Sequence, residues 1–136
     1  MSEGSDPRLD LIEGAFAAVR NRRFAEWADR RLPPDIEWHP APEAPDFEVR
    51  HGPEAVARYF NAALEDAEVW EPRIVGVTKA EAGTLVISAE AAAESRQGVS
   101  MKVSFGQVWE FVGDRPVRVR EFLHHSQALE AAELSE

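Results

Sequence analysis

Of the four histidines in the sequence, His39 is the strongest candidate for proton chemistry. It follows Trp38 at the end of a short predicted strand and precedes Pro40, where the chain enters a loop broken by prolines. Histidine has an ordinary pKa of about 6.5 and can act as a general base near neutral pH. The alternative is that His39 is a solvent-facing imidazole at a strand end.

Gln107 and Glu121 are polar residues on two strand faces that are otherwise apolar. Alternate residues of a strand share a face, and the other residues on the face of Gln107 are Met101, Val103, Phe105, Trp109 and Phe111. Glu121 shares its face with Val117, Val119 and Leu123. A buried polar group is costly unless it finds hydrogen-bond partners. Either the two residues bond to backbone, to each other or to an arginine such as Arg120, or the apolar rows line a cavity and these are its polar groups.

We do not expect the remaining histidines to form a metal site. His124 and His125 point to opposite faces if the last strand continues, and no carboxylate is spaced as a third ligand. His51 is a weaker candidate for chemistry, and the sequence assigns it no role. Because the chain has no cysteine, disulfides, thiol nucleophiles and thiolate metal sites are excluded. We expect neither a metal ion nor another cofactor.

Length and charge restrict the classes of partner. The 136 residues are typical of one domain, 1–136, and the net charge of −10 disfavours nucleic acid. The stretch from Arg8 to Arg23 contains four arginines. Three of them, Arg20, Arg22 and Arg23, fall near a predicted helix end, where cations are favoured, and we expect a solvated patch. The N-terminus lacks a basic segment followed by an apolar one, and no apolar run approaches about 18 residues. We therefore expect a cytoplasmic protein that does not bind membranes.

The hydrophobic pattern predicts helices followed by strands. Ser5-Asp6-Pro7 is a typical helix start, and apolar residues recur at helical spacing until Pro33-Pro34 ends a second helix. A short strand at 36–39 and a loop at 40–48 follow, and Gly52-Pro53 begins a third helix. Four long strands joined by short turns come next, at 69–80, 84–94, 100–112 and 117–124, with a short helix at 126–133. This order predicts an α+β fold, with the helices on one face of an antiparallel meander.

Three stretches, in this order and spacing, resemble the nuclear transport factor 2-like superfamily, particularly its SnoaL-like polyketide cyclase and ketosteroid isomerase branches. They are FAAVRNRRFAEWADRRLPPDIEWHP, VRHGPEAVARYF and FGQVWEFVGDRPVRVREFLHHSQALEAA, which are distributed between residues 16 and 132. The resemblance implies a cone in which the N-terminal helices pack on a strongly curved antiparallel sheet and enclose an apolar pocket. It also implies a homodimer that forms through the outer face of the sheet.

The resemblance suggests roles for individual residues. Aligned to the ketosteroid isomerase pattern, His39 lies at the position of the general base and Gln107 at that of an oxyanion donor. The tyrosine that completes this oxyanion hole would lie near Ala15, where the chain has no tyrosine. The epoxide hydrolase arrangement does not fit, because Arg120 and Glu121 are expected on opposite strand faces. In many SnoaL-like sequences an aspartate ends the last strand, where this chain has His124.

Two functions follow as hypotheses. The first is an isomerase, cyclase or lyase that acts on an apolar carbonyl compound, with His39 as base and Gln107 as oxyanion donor. The second is a non-catalytic binding or accessory domain that holds a flat hydrophobic ligand. The pocket residues expected in both cases are Phe16, Trp38, Tyr59, Phe60, Trp109 and Glu121. A protein-interaction module is a third possibility and would need an exposed apolar patch.

Overall fold

The chain forms four helices and six strands in a computed structural model that describes residues 6–44, 47–65, 67–80 and 83–134. The elements are α1 (Pro7–Arg20), α2 (Phe24–Arg31), β1 (Glu37–His39), β2 (Arg50–His51), α3 (Pro53–Leu64), β3 (Ala67–Lys79), β4 (Thr84–Ser95), β5 (Ser100–Val112), β6 (Arg115–Phe122) and α4 (His125–Leu134). The predicted order is present, and the two-residue β2 is an addition to it. Ser5 of the predicted helix start, 45 and 46 of the predicted loop, and 81 and 82 of a predicted turn lie outside the described residues.

The first helix starts where its capping residues predict. The Asp6 side chain accepts a hydrogen bond of 2.9 Å from the Arg8 backbone N–H, and Pro7 occupies the first turn. These contacts satisfy a free amide at the helix start. Ile12, Phe16 and Val19, at helical spacing, are buried against the rest of the core.

The sheet is mixed, because one parallel pair joins the predicted antiparallel strands. Strands β3 to β6 form the expected antiparallel meander, and the full strand order is β2-β1-β6-β5-β4-β3. Strand β1, however, pairs parallel to β6, with Trp38 opposite Val119. Parallel neighbours need a long connection, and here the connection includes α3 and four strands. Local patterns cannot reveal such a distant pairing.

The helices lie on both faces of the sheet, whereas the sequence predicted one face. Helices α1, α2 and α3 pack on the inner face, where Trp38, Trp109 and Val119 are fully buried. Helix α4 packs on the outer face, where Ala128 and Ala132 bury Val86 and Val108. A Cβ at Gly106 would lie 2.9 Å from Ala128 Cβ, so the absence of a side chain there lets α4 approach the sheet.

Irregular pairing within the long strands favours bending of the sheet. Val75 is an extra residue in β3, where the register with β4 shifts between Ile74 and Gly76. Val117 is an extra residue in β6, where the register with β5 shifts between Glu110 and Phe111. Extra residues of this kind bend a strand and increase its twist.

No helix in the described part of the chain is long and apolar enough to cross a membrane.

Candidate functional site

A cavity of about 230 Å³ lies between the N-terminal helices and the inner face of the sheet. The structure brings together around it all the residues predicted for the pocket, together with Gln107: Phe16, Trp38, Tyr59, Phe60, Gln107, Trp109 and Glu121. Trp70 on β3 and Phe105 on β5 also line it. Sequence reasoning did not assign either to the pocket, although Phe105 lies on the same strand face as Gln107.

Aromatic rings form much of the cavity wall and hold one another in place. Trp38 meets Phe60 and Trp109 edge-on, with ring centroids 5.2 Å and 5.5 Å away. Edge-to-face pairs at this spacing are favourable beyond the area they bury. Trp38 is 1% exposed and Trp109 0%, so the two indoles are fixed parts of the wall.

Glu121 is the only carboxyl group among the described residues that line the cavity. Its Oε1 accepts a hydrogen bond of 2.9 Å from the Tyr59 hydroxyl, and its Oε2 accepts one of 3.3 Å from Gln107 Nε2. The other end of the Gln107 amide is also engaged, because Trp109 Nε1 donates to Gln107 Oε1 at 2.8 Å. These contacts fix the Gln107 amide between a donor and an acceptor.

Burial raises the pKa of Glu121 above its ordinary value. The hydrogen bonds from Tyr59 and Gln107, and the nearby indole of Trp38, lower the pKa and oppose this change, but desolvation is the larger effect. A carboxyl group in an apolar site is harder to ionise because its charged form loses hydration. A carboxyl with a raised pKa is a stronger base when ionised, and groups of this kind concentrate at functional sites.

No protein-family model matches the sequence, and no curated protein matches it either. Solved structures do match. An NTF2-like protein of unknown function from Burkholderia pseudomallei has a TM-score of 0.74 at 15% identity, with 94% of this chain and 98% of that one covered. TerC, crystallised with polyporic acid, has a TM-score of 0.75 at 14% identity, with 94% of this chain and 99% of TerC covered. A Jannaschia protein described as a SnoaL-like polyketide cyclase has a TM-score of 0.74 at 13% identity, with 97% of this chain and 94% of that one covered. The chain has the nuclear transport factor 2-like fold.

The nuclear transport factor 2-like fold of this chain places His39 outside the cavity. Trp38 points inward, so His39 lies on the outer face, where its Nε2 is 3.0 Å from Glu37 Oε1. Its neighbour on β6 is Arg120. The structure therefore does not bring His39 and Gln107 together as their expected roles require. The sequence carries part of this signal, because consecutive strand residues point to opposite faces, but the pairing with β6 decides which of the two residues faces the cavity.

The outer face carries a separate group of charged residues. Glu110 binds Arg118 through two hydrogen bonds of 2.7 Å and 2.8 Å, and Arg120 Nε lies 3.1 Å from Glu110 Oε2. Arg120 and Glu121 are on opposite faces, as the strand pattern predicts. These ion pairs lie across the sheet from the cavity.

The other histidines lie away from Gln107 and Glu121. His51 is exposed on the edge strand β2, where it lies opposite Glu37 of β1 in the strand pairing. His124 is exposed just before α4. His125 begins that helix on the outer side of the sheet. Among the residues that the structure describes, no three His, Asp or Glu side chains are grouped so that they could hold a metal ion.

Proposed function

We propose that this chain binds a small apolar carbonyl compound in the cavity and that Glu121 performs acid–base chemistry on it, as an isomerase, cyclase or lyase. The observation that carries the proposal is the position of Glu121. It supplies the only carboxyl group of the described cavity lining, and burial raises its pKa. Small-molecule sites usually combine apolar walls with a few convergent polar groups.

The proposed step is the removal of a proton from the carbon next to the carbonyl group. An oxygen of ionised Glu121 takes the proton, and the electrons of the broken C–H bond form the enolate. Neutral Glu121 then returns the proton to the same carbon or to another carbon of the conjugated system. The step balances without an oxidant or reductant. Glu121 replaces His39 as the base, because a general base must lie within hydrogen-bond reach of the proton it removes.

Gln107 has a positioning role in this proposal. Its amide donates to Glu121 and accepts from Trp109, so it orients the carboxyl and supports its charged form. The sequence-based hypothesis that Gln107 donates to an oxyanion is replaced by this role, since its side-chain amide already bonds to Glu121 and Trp109.

The cavity volume limits the size of the ligand. At about 230 Å³, the cavity is larger than the roughly 150 Å³ cavity that holds benzene in an engineered protein. It is smaller than the roughly 300 Å³ at which pockets for drug-sized ligands begin. A compound of one ring, or of two small rings, fits these limits.

The alternative function is binding without chemistry. It is supported by the aromatic wall and by the fact that both oxygens of Glu121 already accept hydrogen bonds from protein groups. In that case the carboxyl would serve to orient a flat ligand. Binding alone would raise the melting temperature without any proton exchange.

Proton exchange distinguishes the two functions. Cyclohexanone is incubated with the protein in D₂O, and deuterium uptake next to the carbonyl is followed by NMR. Wild-type protein should catalyse the uptake, and Glu121→Gln should lower the rate by about 100-fold or more, the usual contribution of a general base. Thermal stabilisation by cyclohexanone in both proteins is the control for binding. Stabilisation without exchange by the wild type would favour the binding function, and equal exchange by both proteins would contradict the role of Glu121.

Two further expectations stay predictions. The first is the homodimer through the outer face of the sheet. Helix α4 already covers the part of that face around Val86 and Val108. The cytoplasmic location is the other. Sedimentation analysis of the full chain tests the first, and fractionation of cells tests the second.

A further inference from the structure

The indole N–H of Trp38 is a buried donor without an acceptor. Trp38 is 1% exposed, and its Nε1 has no hydrogen-bond partner among the described residues. A buried tryptophan N–H usually has a partner, as Trp109 does in the Gln107 side chain. Leaving such a group unpaired costs free energy, so each instance requires an explanation.

The donor lies at the cavity, on the side of Glu121. Trp38 lines the cavity, and its N–H favours the charged form of the Glu121 carboxyl without reaching hydrogen-bond geometry. Edge-on contacts with Phe60, Trp109 and Phe24 surround the ring, at centroid distances of 5.2, 5.5 and 6.3 Å. A ring packed in this way cannot turn to another acceptor without disrupting the core.

We propose that Trp38 Nε1 donates the hydrogen bond that binds the carbonyl oxygen of the ligand, and that it thereby selects carbonyl compounds over hydrocarbons of the same shape. This inference rests on the proposed function, because it assumes that the ligand occupies the cavity beside Glu121. Two neighbouring protein donors are already committed, since the Tyr59 hydroxyl donates to Glu121 and Trp109 Nε1 to Gln107.

The arrangement matches the geometry of the reacting group. The carbonyl oxygen and the carbon that loses its proton are close neighbours in the ligand, and Trp38 Nε1 and the Glu121 carboxyl are close neighbours in the cavity. A fixed donor at the oxygen stabilises the charge that develops there when the proton leaves. A hydrocarbon would leave the N–H unpaired, so the site would discriminate against it.

The test compares cyclohexanone with methylenecyclohexane, which replaces the oxygen by a CH₂ group. In ¹H–¹⁵N spectra of the wild-type protein, the indole signal of Trp38 should move downfield with the ketone and not with the hydrocarbon. In Trp38→Phe, ketone affinity should fall about tenfold, the value of one hydrogen bond, and hydrocarbon affinity by less than about twofold. Trp27→Phe is the matched control. Trp27 Nε1 is also buried and unpartnered among the described residues, and Trp27 does not line the cavity there.

Each outcome decides the inference. An equal response of the Trp38 signal to both ligands, or an unchanged preference for the ketone in Trp38→Phe, would show that another group binds the oxygen. Binding of neither ligand would overturn both this inference and the proposed site. If Trp38→Phe does not fold, the response of the Trp38 indole signal in the wild-type spectra still tests whether this N–H binds the carbonyl oxygen. Failure of the proposed chemistry is seen separately, as proton exchange that Glu121→Gln does not slow.

Discussion

Gln107 and Glu121 lie directly opposite each other on β5 and β6, with Gln107 Nε2 3.3 Å from Glu121 Oε2. The two polar exceptions in the apolar strand faces therefore belong to one hydrogen-bonded unit at the cavity. The two residues bond to each other and also line the cavity. The unit extends to Tyr59 and Trp109, so its effect on Glu121 can be measured one residue at a time.

His39→Ala should leave proton exchange unchanged. His39 lies on the outer face and contacts Glu37, out of reach of a ligand in the cavity. The measurement is the rate of deuterium uptake by cyclohexanone, with Glu121→Gln as the variant that should lose activity. A loss in His39→Ala as large as that in Glu121→Gln would restore His39 as the base.

Tyr59→Phe should raise the pKa of Glu121 further. The Tyr59 hydroxyl donates to Glu121 Oε1 at 2.9 Å and stabilises the charged carboxylate, so its removal favours the protonated form. A ¹³C NMR titration of the Glu121 carboxyl measures the change. Asn61→Ala, an exposed substitution on the same helix, is the control and should leave the titration unaltered. A lower pKa in Tyr59→Phe would mean that the hydroxyl does not stabilise the carboxylate.

The titration of Glu121 should lower the stability of the wild-type protein as pH rises. The folded pKa lies above the ordinary value of 4.5, so between these two pKa values the folded state binds more protons than the unfolded state. The free energy of unfolding then decreases with increasing pH. Glu121→Gln removes this contribution and should gain stability relative to the wild type across the same window. Urea unfolding at a series of pH values measures the difference, and a constant difference would contradict the raised pKa.

Gly106→Ala should destabilise the protein by about 1 to 3 kcal/mol, as overpacking usually does. The new Cβ would lie 2.9 Å from Ala128 Cβ and 3.1 Å from His125 Cα, so α4 would have to move away from the sheet. Gly76→Ala is the matched control in β3, because its Cβ would meet Ser88 Cβ at an ordinary 3.6 Å. The control should be neutral or slightly stabilising, since glycine inside a strand is less favourable than alanine. Equal free energies of unfolding for the two variants would show that α4 does not pack tightly on Gly106.

The sequence alone determined the elements and the polar positions in the strands. Helix starts at Pro7 and Pro53 and the long strands of the meander follow from capping residues, prolines and periodicity, which act between residues close together in the chain. The same local geometry identified Gln107 and Glu121 as the polar members of apolar rows. These features need no knowledge of distant contacts.

The tertiary structure decided which of these residues share a site. Strand β1 has three residues, and only its parallel pairing with β6 turns Trp38 toward the cavity and His39 to the outer face. The pKa of Glu121 is also a tertiary property, because the loss of hydration that raises it comes from residues far apart in sequence that enclose the carboxyl. Local periodicity assigns neighbours to opposite faces, but long-range packing determines which face encloses the ligand.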